Sequence, residues 1–382
     1  MKKILDGVVV LDLTRFFSGP QATLLLAGMG AEVIKIDDPK TGDPTAFAPP
    51  FDGPGGISFE RKSDQDMGLA YLKRQRGKKS MTLDLKSARG RELFLQLAAK
   101  ADVVVENFSP GVATRLAIDY TALCKVNPRI IYCAITGYGQ DGPRANVAAH
   151  DLNYIAQAGL LALAAGSDGA PVPPPALIAD IGGGTYPAVI NILLALRSRD
   201  QSGQGCKLDI AMADNLFTFM YWAMGNGEVA GEWPTPGGDL VTGGSPRYNV
   251  YKTRDGKFVA AAPLEQKFWE NFCALIELEP AARDDSRDAA KTRQAVAQRI
   301  AAKTADEWRA MFAGKDICCC IMASIEDARR DPHFVARGVF EARLAADGRQ
   351  MTAMPVPVAP QFRAQPDSAS YPALGEANSL LK

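Results

Sequence analysis

The chain has 382 residues, 47% of them hydrophobic and 23% charged, so it is long enough for two domains and can bury a sizeable core; a single small module and broad disorder are excluded. Lys+Arg and Asp+Glu each total 43, so the net charge is zero and no global field draws the chain to nucleic acid or to an anionic membrane. With 35 Gly and 25 Pro, it promises many tight turns rather than a helical bundle.

Val8 to Leu13 is an apolar run bounded by Gly7 and Thr14, and Gln21 to Met29 is rich in Ala and Leu. Gly30 ends that helix and Ala31 to Asp37 forms a second strand, so the first 37 residues read as a βαβ unit with parallel strands. Residues 39–70 are rich in Pro, Gly, Asp and Ser without periodicity, which predicts a long functional loop. The pattern resumes with strands over Ser80–Leu85, Asp102–Glu106 and Arg129–Ala134 and a helix over Arg89–Lys100. Parallel α/β architecture, Rossmann-like and buried on both faces of its sheet, follows.

Beyond the Gly/Pro loop Gly137–Pro143, a helical pattern opens at His150-Asp151 and runs to Gly159. Asp180, followed by Gly182 to Gly184, stands at the entrance of a further helix over Tyr186–Arg197. Residues 200–210 read as a turn and strand, and Met212–Glu228 as a buried helix carrying Trp222 and Met224; Trp222, Met224 and Trp233 are expected in a core. Glycines over Gly237–Ser245 signal a change of domain. A strand at Lys257–Ala262 and helices at Gln266–Leu278, near 291–313 and at 324–330 then make a smaller α+β unit. The organisation read is a large α/β domain of residues 1–225, completed by 331–382, and a small domain of 226–330. The Pro-rich segment Pro355–Pro372 reads as an extended arm packed over another surface.

Seven cysteines without disulfide or zinc spacing fit a reducing cytosol. Cys318 to Cys320 has no His at ligand spacing, so no metal site is read there; a buried strand is expected. The apolar segment Val8–Leu11 is too short for a signal sequence and no stretch approaches about 20 apolar residues, so the expectation is a soluble cytoplasmic protein. After the first strand, Ser18-Gly19-Pro20-Gln21-Ala22 lacks the second glycine of a dinucleotide fingerprint, no Walker A loop exists, and Ser18 and Ser245 lack a nucleophile elbow. Two residues remain as chemistry: His150, one of only two histidines, beside an acid at a helix start, and Asp180, a carboxylate at a helix N-terminus where glycines let a ligand approach the backbone. Plain helix capping is the competing use of both.

Leu11-Asp-Leu-Thr-Arg15, Gly19-Pro20, Gly30-Ala-Glu-Val-Ile-Lys-Ile, Lys79-Ser-Met-Thr-Leu-Asp-Leu-Lys86, Glu106-Asn-Phe-Ser-Pro-Gly111, Asn127-Pro128 and Gly137-Tyr-Gly-Gln140 are, in order and spacing, similar to the class III CoA-transferase superfamily of the CaiB/BaiF type. His150-Asp151-Leu-Asn-Tyr154, Asp180-Ile-Gly-Gly-Gly184 and Leu264-Glu265-Gln-Lys-Phe268 resemble its α-methylacyl-CoA racemase branch, which implies His150, Asp180 and Glu265 as the catalytic set. The resemblance implies an acyl-CoA thioester as substrate, no separate cofactor since CoA is part of that substrate, and a homodimer of interlocked chains with no nucleic-acid or membrane partner. In such a dimer Glu265 of one copy approaches His150 of the other. Arg15, Arg76, Lys78, Lys79, Asp151, Tyr154, Ile181 and Gly182 are the implied substrate and CoA contacts, whereas Asp38 and Ser109 stand where relatives often have a basic residue.

The expected chemistry moves the α-proton between the two hands of a 2-methylacyl-CoA through an enolate. Asp180 and His150 serve as opposed acid/bases, Glu265 stabilises the imidazolium, and the N–H groups of Asp180 and Ile181 hold the enolate oxygen. The alternative is a CoA transferase in which the Asp180 carboxylate attacks the thioester and forms a mixed anhydride. A catalytically silent CoA-binding scaffold is the third class.

Overall fold

The computed structural model describes residues 3–166, 168–346, 349–363 and 370–381. They form two compact units, one from the described parts of Met1–Ile155, Ala176–Leu216 and Pro332–Lys382, the other from Ala156–Pro175 and Phe217–Asp331.

The first unit is built on β1 (Val9–Asp12), α1 (Ser18–Gly28), β2 (Glu32–Asp37), α2 (Leu69–Gln75), β3 (Lys79–Thr82), α3 (Ala88–Ala98), β4 (Val103–Glu106), β5 (Ile131–Thr136), α4 (Asp151–Gln157), α5 (Tyr186–Ser202) and β6 (Lys207–Ala211). The strands form one sheet in the order β3-β2-β1-β4-β5-β6, with every pair parallel. Val10 pairs with Val33 on one side and Val103 on the other. All three are buried, as an apolar run without alternation requires of a strand covered on both faces. The chain leaves β1 and β4, neighbours in the sheet, toward opposite edges. That reversal opens a crevice at their carboxyl ends.

Several elements depart from the expected ones. Residues 39–70 hold a three-stranded antiparallel sheet of Phe51–Gly53, Gly56–Ser58 and Met67–Gly68, with strands too short for any periodicity to register. Asp180 lies inside a π-helical turn, Ala179–Thr185, continuous with α5, and so does not stand before the helix. The combined run 179–202 is long and apolar enough to cross a membrane by length and composition, contrary to the sequence expectation; its Ala188, Val189, Ile192, Ala195 and Leu196 are buried where α5 packs on α1, β5 and β6. The expected helix over Met212–Glu228 breaks into four short turns, and Trp222 and Trp233 are exposed, so they are not core residues.

The second unit pairs β7 (Asn249–Lys252), β8 (Phe258–Ala261) and β9 (Cys319–Ile321) in an antiparallel sheet covered by α6 (Gln266–Leu275), α7 (Ala289–Ala301) and α8 (Ala305–Phe312). Trp269, Phe272, Val296, Ile300 and Trp308 fill its core, and each indole N–H donates to a carbonyl, of Arg283 for Trp269 and of Ile300 for Trp308. Cys318, just before β9, and Cys320 within it are exposed, which corrects the expected buried strand. Part of the expected arm, 364–369, lies outside the described residues. Beyond it, the Ala377 N–H donates to the Ser80 carbonyl and the Thr82 N–H to the Asn378 side chain, so the terminal segment lies along the free edge of β3.

Candidate active site

A cleft of about 370 Å³ opens at the carboxyl ends of β1, β4 and β5, where the sheet reverses its winding. Three loops form its walls: Phe16–Ser18 after β1, Asn107–Pro110 after β4, and Thr136–Tyr138 leading from β5 toward Ala145–His150. Asn107 ties the first two together, because its side-chain oxygen accepts from the Arg15 N–H and its amide donates to the Arg15 carbonyl, both at 2.8 Å. Glu106 stiffens the same wall by accepting from the Phe108 N–H at 2.6 Å and from the Tyr132 hydroxyl at 3.0 Å, while burial pushes its carboxyl up to about 7. Phe16 adopts a left-handed backbone, φ 65°, a conformation that costs a non-glycine residue energy and recurs at functional sites. The strain places its ring edge-to-face with His150, the centroids 6.5 Å apart.

His150 and Asp180 both line this cleft. His150 is exposed at the mouth, its N–H donating to the Asn153 side chain at the start of α4. Tyr154, one turn on, is buried and donates its hydroxyl to the Ala149 carbonyl at 2.7 Å, which pins the backbone just before His150. Gly137 makes room for that ring, since a Cβ there would lie 2.3 Å from it. Asp151 is buried and accepts from the Asp180 N–H at 2.9 Å, so the acid beside His150 orients Asp180. Burial and the Asp151 carboxylate push Asp180 up to about 6, against the pull of His150 and Arg74. A carboxyl at that value is half-poised near neutrality, able to take or give a proton.

The glycines after Asp180 serve packing. A Cβ on Gly183 would lie 2.3 Å from the Met212 carbonyl oxygen, and one on Gly184 would lie 3.2 Å from Ser18 Cβ, so the π-turn seats directly on Met212 and the start of α1. The Thr185 hydroxyl, which donates to the Ser18 carbonyl at 2.8 Å, completes that seat. The expected enolate donors are also spent: the Asp180 N–H on Asp151 and the Ile181 N–H on the Leu177 carbonyl at 3.0 Å. Ile181 and Gly182 belong to the turn that carries Asp180 and do not line the cleft.

Among the other expected contacts, Arg15 is half-buried with its backbone in the Asn107 clamp. Arg76 is half-buried and donates to the Met354 carbonyl at 3.0 Å. Lys79 is exposed in an ion pair with Glu32. Lys78 is a correction: its ammonium is buried on Asp12, the Pro20 carbonyl and the Thr23 hydroxyl at 2.8–3.0 Å, all three donors used inside the fold. It joins β3 to β1 and α1 and has no proton left for a phosphate. Glu265 belongs to the second unit, exposed at the N-terminus of α6. Phe16, Asn107 and Arg74 were not singled out from the sequence. Asn107 stands in the Glu106–Gly111 motif and could have been found there; Phe16 and Arg74 carry no sequence signal, since backbone strain and burial without a partner are properties of the folded chain.

The profile of CoA-transferase family III matches residues 5–378. The chain is 32% identical to the alpha-methylacyl-CoA racemase of Mus musculus over 98% of this chain and 91% of that one. It is 33% identical to the succinate–glutarate CoA-transferase of Agrobacterium fabrum over 94% and 89%. Among solved structures, a CAIB/BAIF family protein from Brucella suis superposes with TM-score 0.81 at 28% identity over all of both chains.

Proposed function

The chain belongs to CoA-transferase family III, and from that premise we propose that it racemises 2-methylacyl-CoA thioesters by moving the α-proton between Asp180 and His150. The observation that carries this reading is the presence of both groups in one cleft, with the carboxyl held at about 6. In one direction ionised Asp180 removes the α-proton, the electron pair passes into the thioester carbonyl as an enolate, and protonated His150 returns a proton to the opposite face. In the other direction neutral His150 is the base and protonated Asp180 the acid.

Since the N–H groups of Asp180 and Ile181 are engaged, the enolate oxygen needs another donor. Thr136 lines the cleft, and its buried hydroxyl has no hydrogen-bond partner among the described residues, which suits it to that task. Arg15, Arg76 and Lys79 are the basic residues we assign to CoA. Lys79 can leave Glu32 for a phosphate at little cost, because an exposed ion pair contributes roughly 0–1 kcal/mol. No cofactor is proposed beyond the CoA of the substrate.

A CoA transferase using Asp180 as nucleophile is the second reading, favoured by the similar identity to curated transferases. Single-handed 2-methylacyl-CoA incubated in deuterated water separates the two. Racemisation gives α-deuterium and both hands, and His150→Ala lowers the rate by about 10²-fold or more. Passage of CoA to a free acid without α-exchange rejects the racemase.

A further inference from the structure

Phe16 is unfavourable twice over: its backbone is left-handed, φ 65°, and its ring is 51% exposed. A bulky residue rarely adopts that backbone, and a ring left half in water gains little from burial. Three other non-glycine residues among those described share the conformation, and each has its place in the chain path. Ala117 and Glu277 follow the ends of the helices Val112–Arg115 and α6, where a left-handed residue terminates the winding, and Cys318 leads into β9. None of the three lines the cleft. Phe16 does, and it stands between a strand and the start of a helix, where nothing in the chain path asks for a left-handed residue.

The connection from β1 to α1 is anchored on both sides of this residue. The Thr14 N–H donates to Asp12 at 2.9 Å, Asn107 clamps the Arg15 peptide, and the Phe16 N–H donates to buried Asp43 at 3.4 Å. The Phe17 carbonyl then accepts from the Gln21 N–H, and the Ser18 carbonyl from the Thr185 hydroxyl. Five consecutive residues are tied to their surroundings, which is how a strained conformation persists. Its result is the placement of the ring against His150, the two planes at 74°. That imidazole is exposed and, among the described residues, makes no hydrogen bond of its own, so the aromatic contact is what the fold gives it. A free exposed side chain changes rotamer in picoseconds to nanoseconds, whereas proton transfer needs the reacting groups held in line.

Resting on the acid/base reading of His150, we infer that Phe16 is its positioning residue: the strained β1–α1 connection holds the Phe16 ring so that it fixes the imidazole in one orientation over the cleft.

The test is NMR of the full chain carrying carbon-13 histidine, in which His150 and His333 give the two ring signals and His150→Ala assigns them. Phe16→Leu removes the ring and keeps the apolar bulk. The His150 signal is expected to lose its ring-current shift and its relaxation to report a more mobile imidazole, while the His333 signal, stacked on Phe334, stays in place. In α-proton exchange the same variant is expected to lose about 10-fold or more in kcat with KM within about 3-fold, because a misplaced acid/base slows the chemistry without weakening binding. Phe16→Tyr keeps the ring and is expected to recover both the signal and most of the rate. Should Phe16→Leu fail to fold, Phe16→Gly takes φ 65° without steric cost and is expected to show the same losses. An unmoved and equally rigid His150 signal in the ringless variants would overturn the inference, as would a raised KM with kcat unchanged, which makes Phe16 plain wall. Absence of α-exchange in the wild type rejects the racemase reading instead, and the NMR comparison then decides by itself whether Phe16 holds His150.

Discussion

At Asp180 two effects act in one direction, because removal from water and the neighbouring Asp151 carboxylate both disfavour the charged form. The folded value of about 6 lies above the ordinary 3.8, so this carboxyl favours the folded state fully below pH 3.8 and loses that contribution as pH rises through about 6. Asp180→Asn keeps the backbone bond to Asp151 and removes the charge. It should match wild-type stability near pH 3, exceed it at pH 8 by unfolding in denaturant, and lower turnover by about 10³-fold. Wild-type turnover in the direction that uses Asp180 as base should rise with pH through about 6. The sequence points to His150 and Asp180 because histidine is rare in this chain and an acid followed by three glycines is a distinctive string, and the fold brings both to one cleft. The role of Asp151 was not legible, since its bond to Asp180 joins two elements 29 positions apart.

Among the elements, the π-turn Ala179–Thr185 decides where Asp180 sits. A widened turn inserts an extra residue into the helix and re-aims side chains, a device frequent at functional sites. It persists here because Gly183 lets the turn lie against the Met212 carbonyl. Gly183→Ala should therefore destabilise the protein by about 1–3 kcal/mol by overpacking and lower kcat more than affinity for CoA. Gly55→Ala, where a Cβ meets nothing within 4 Å, is the matched control. Denaturant unfolding and steady-state kinetics of the two variants check this, and equal behaviour would show that the π-turn does not depend on Gly183. The alternation of parallel strands and helices was readable because each strand is an uninterrupted apolar run. The break-up of 212–230 was not, because apolar composition alone does not tell a core helix from short turns whose aromatics face outward.

For the whole molecule, the expected partner is a second copy. Phe217, Tyr221, Trp222, Val229 and Trp233, all within 217–233 of the second unit, are exposed. We propose that these residues serve the homodimer and that Glu265 acts on the cleft of the other copy. Unfolding His150→Ala and Glu265→Ala proteins together and refolding them should restore about one quarter of wild-type activity if half the molecules are mixed dimers with one intact site each. No recovery on mixing would rule out a shared site.

What the sequence by itself determined is local: βαβ succession, strands buried on both faces, and an imidazole at a helix start, all of them written in spacing and composition over a few residues. The tertiary structure decided what those residues face. Phe16, Asn107, His150 and Asp180 meet only because β1 and β4 lie side by side with their connections running opposite ways. Lys78, basic-turn residue though it looks in the chain, is drawn inside by Asp12, 66 positions earlier. Strand order and burial are sums over the whole chain, and no short stretch of sequence contains them.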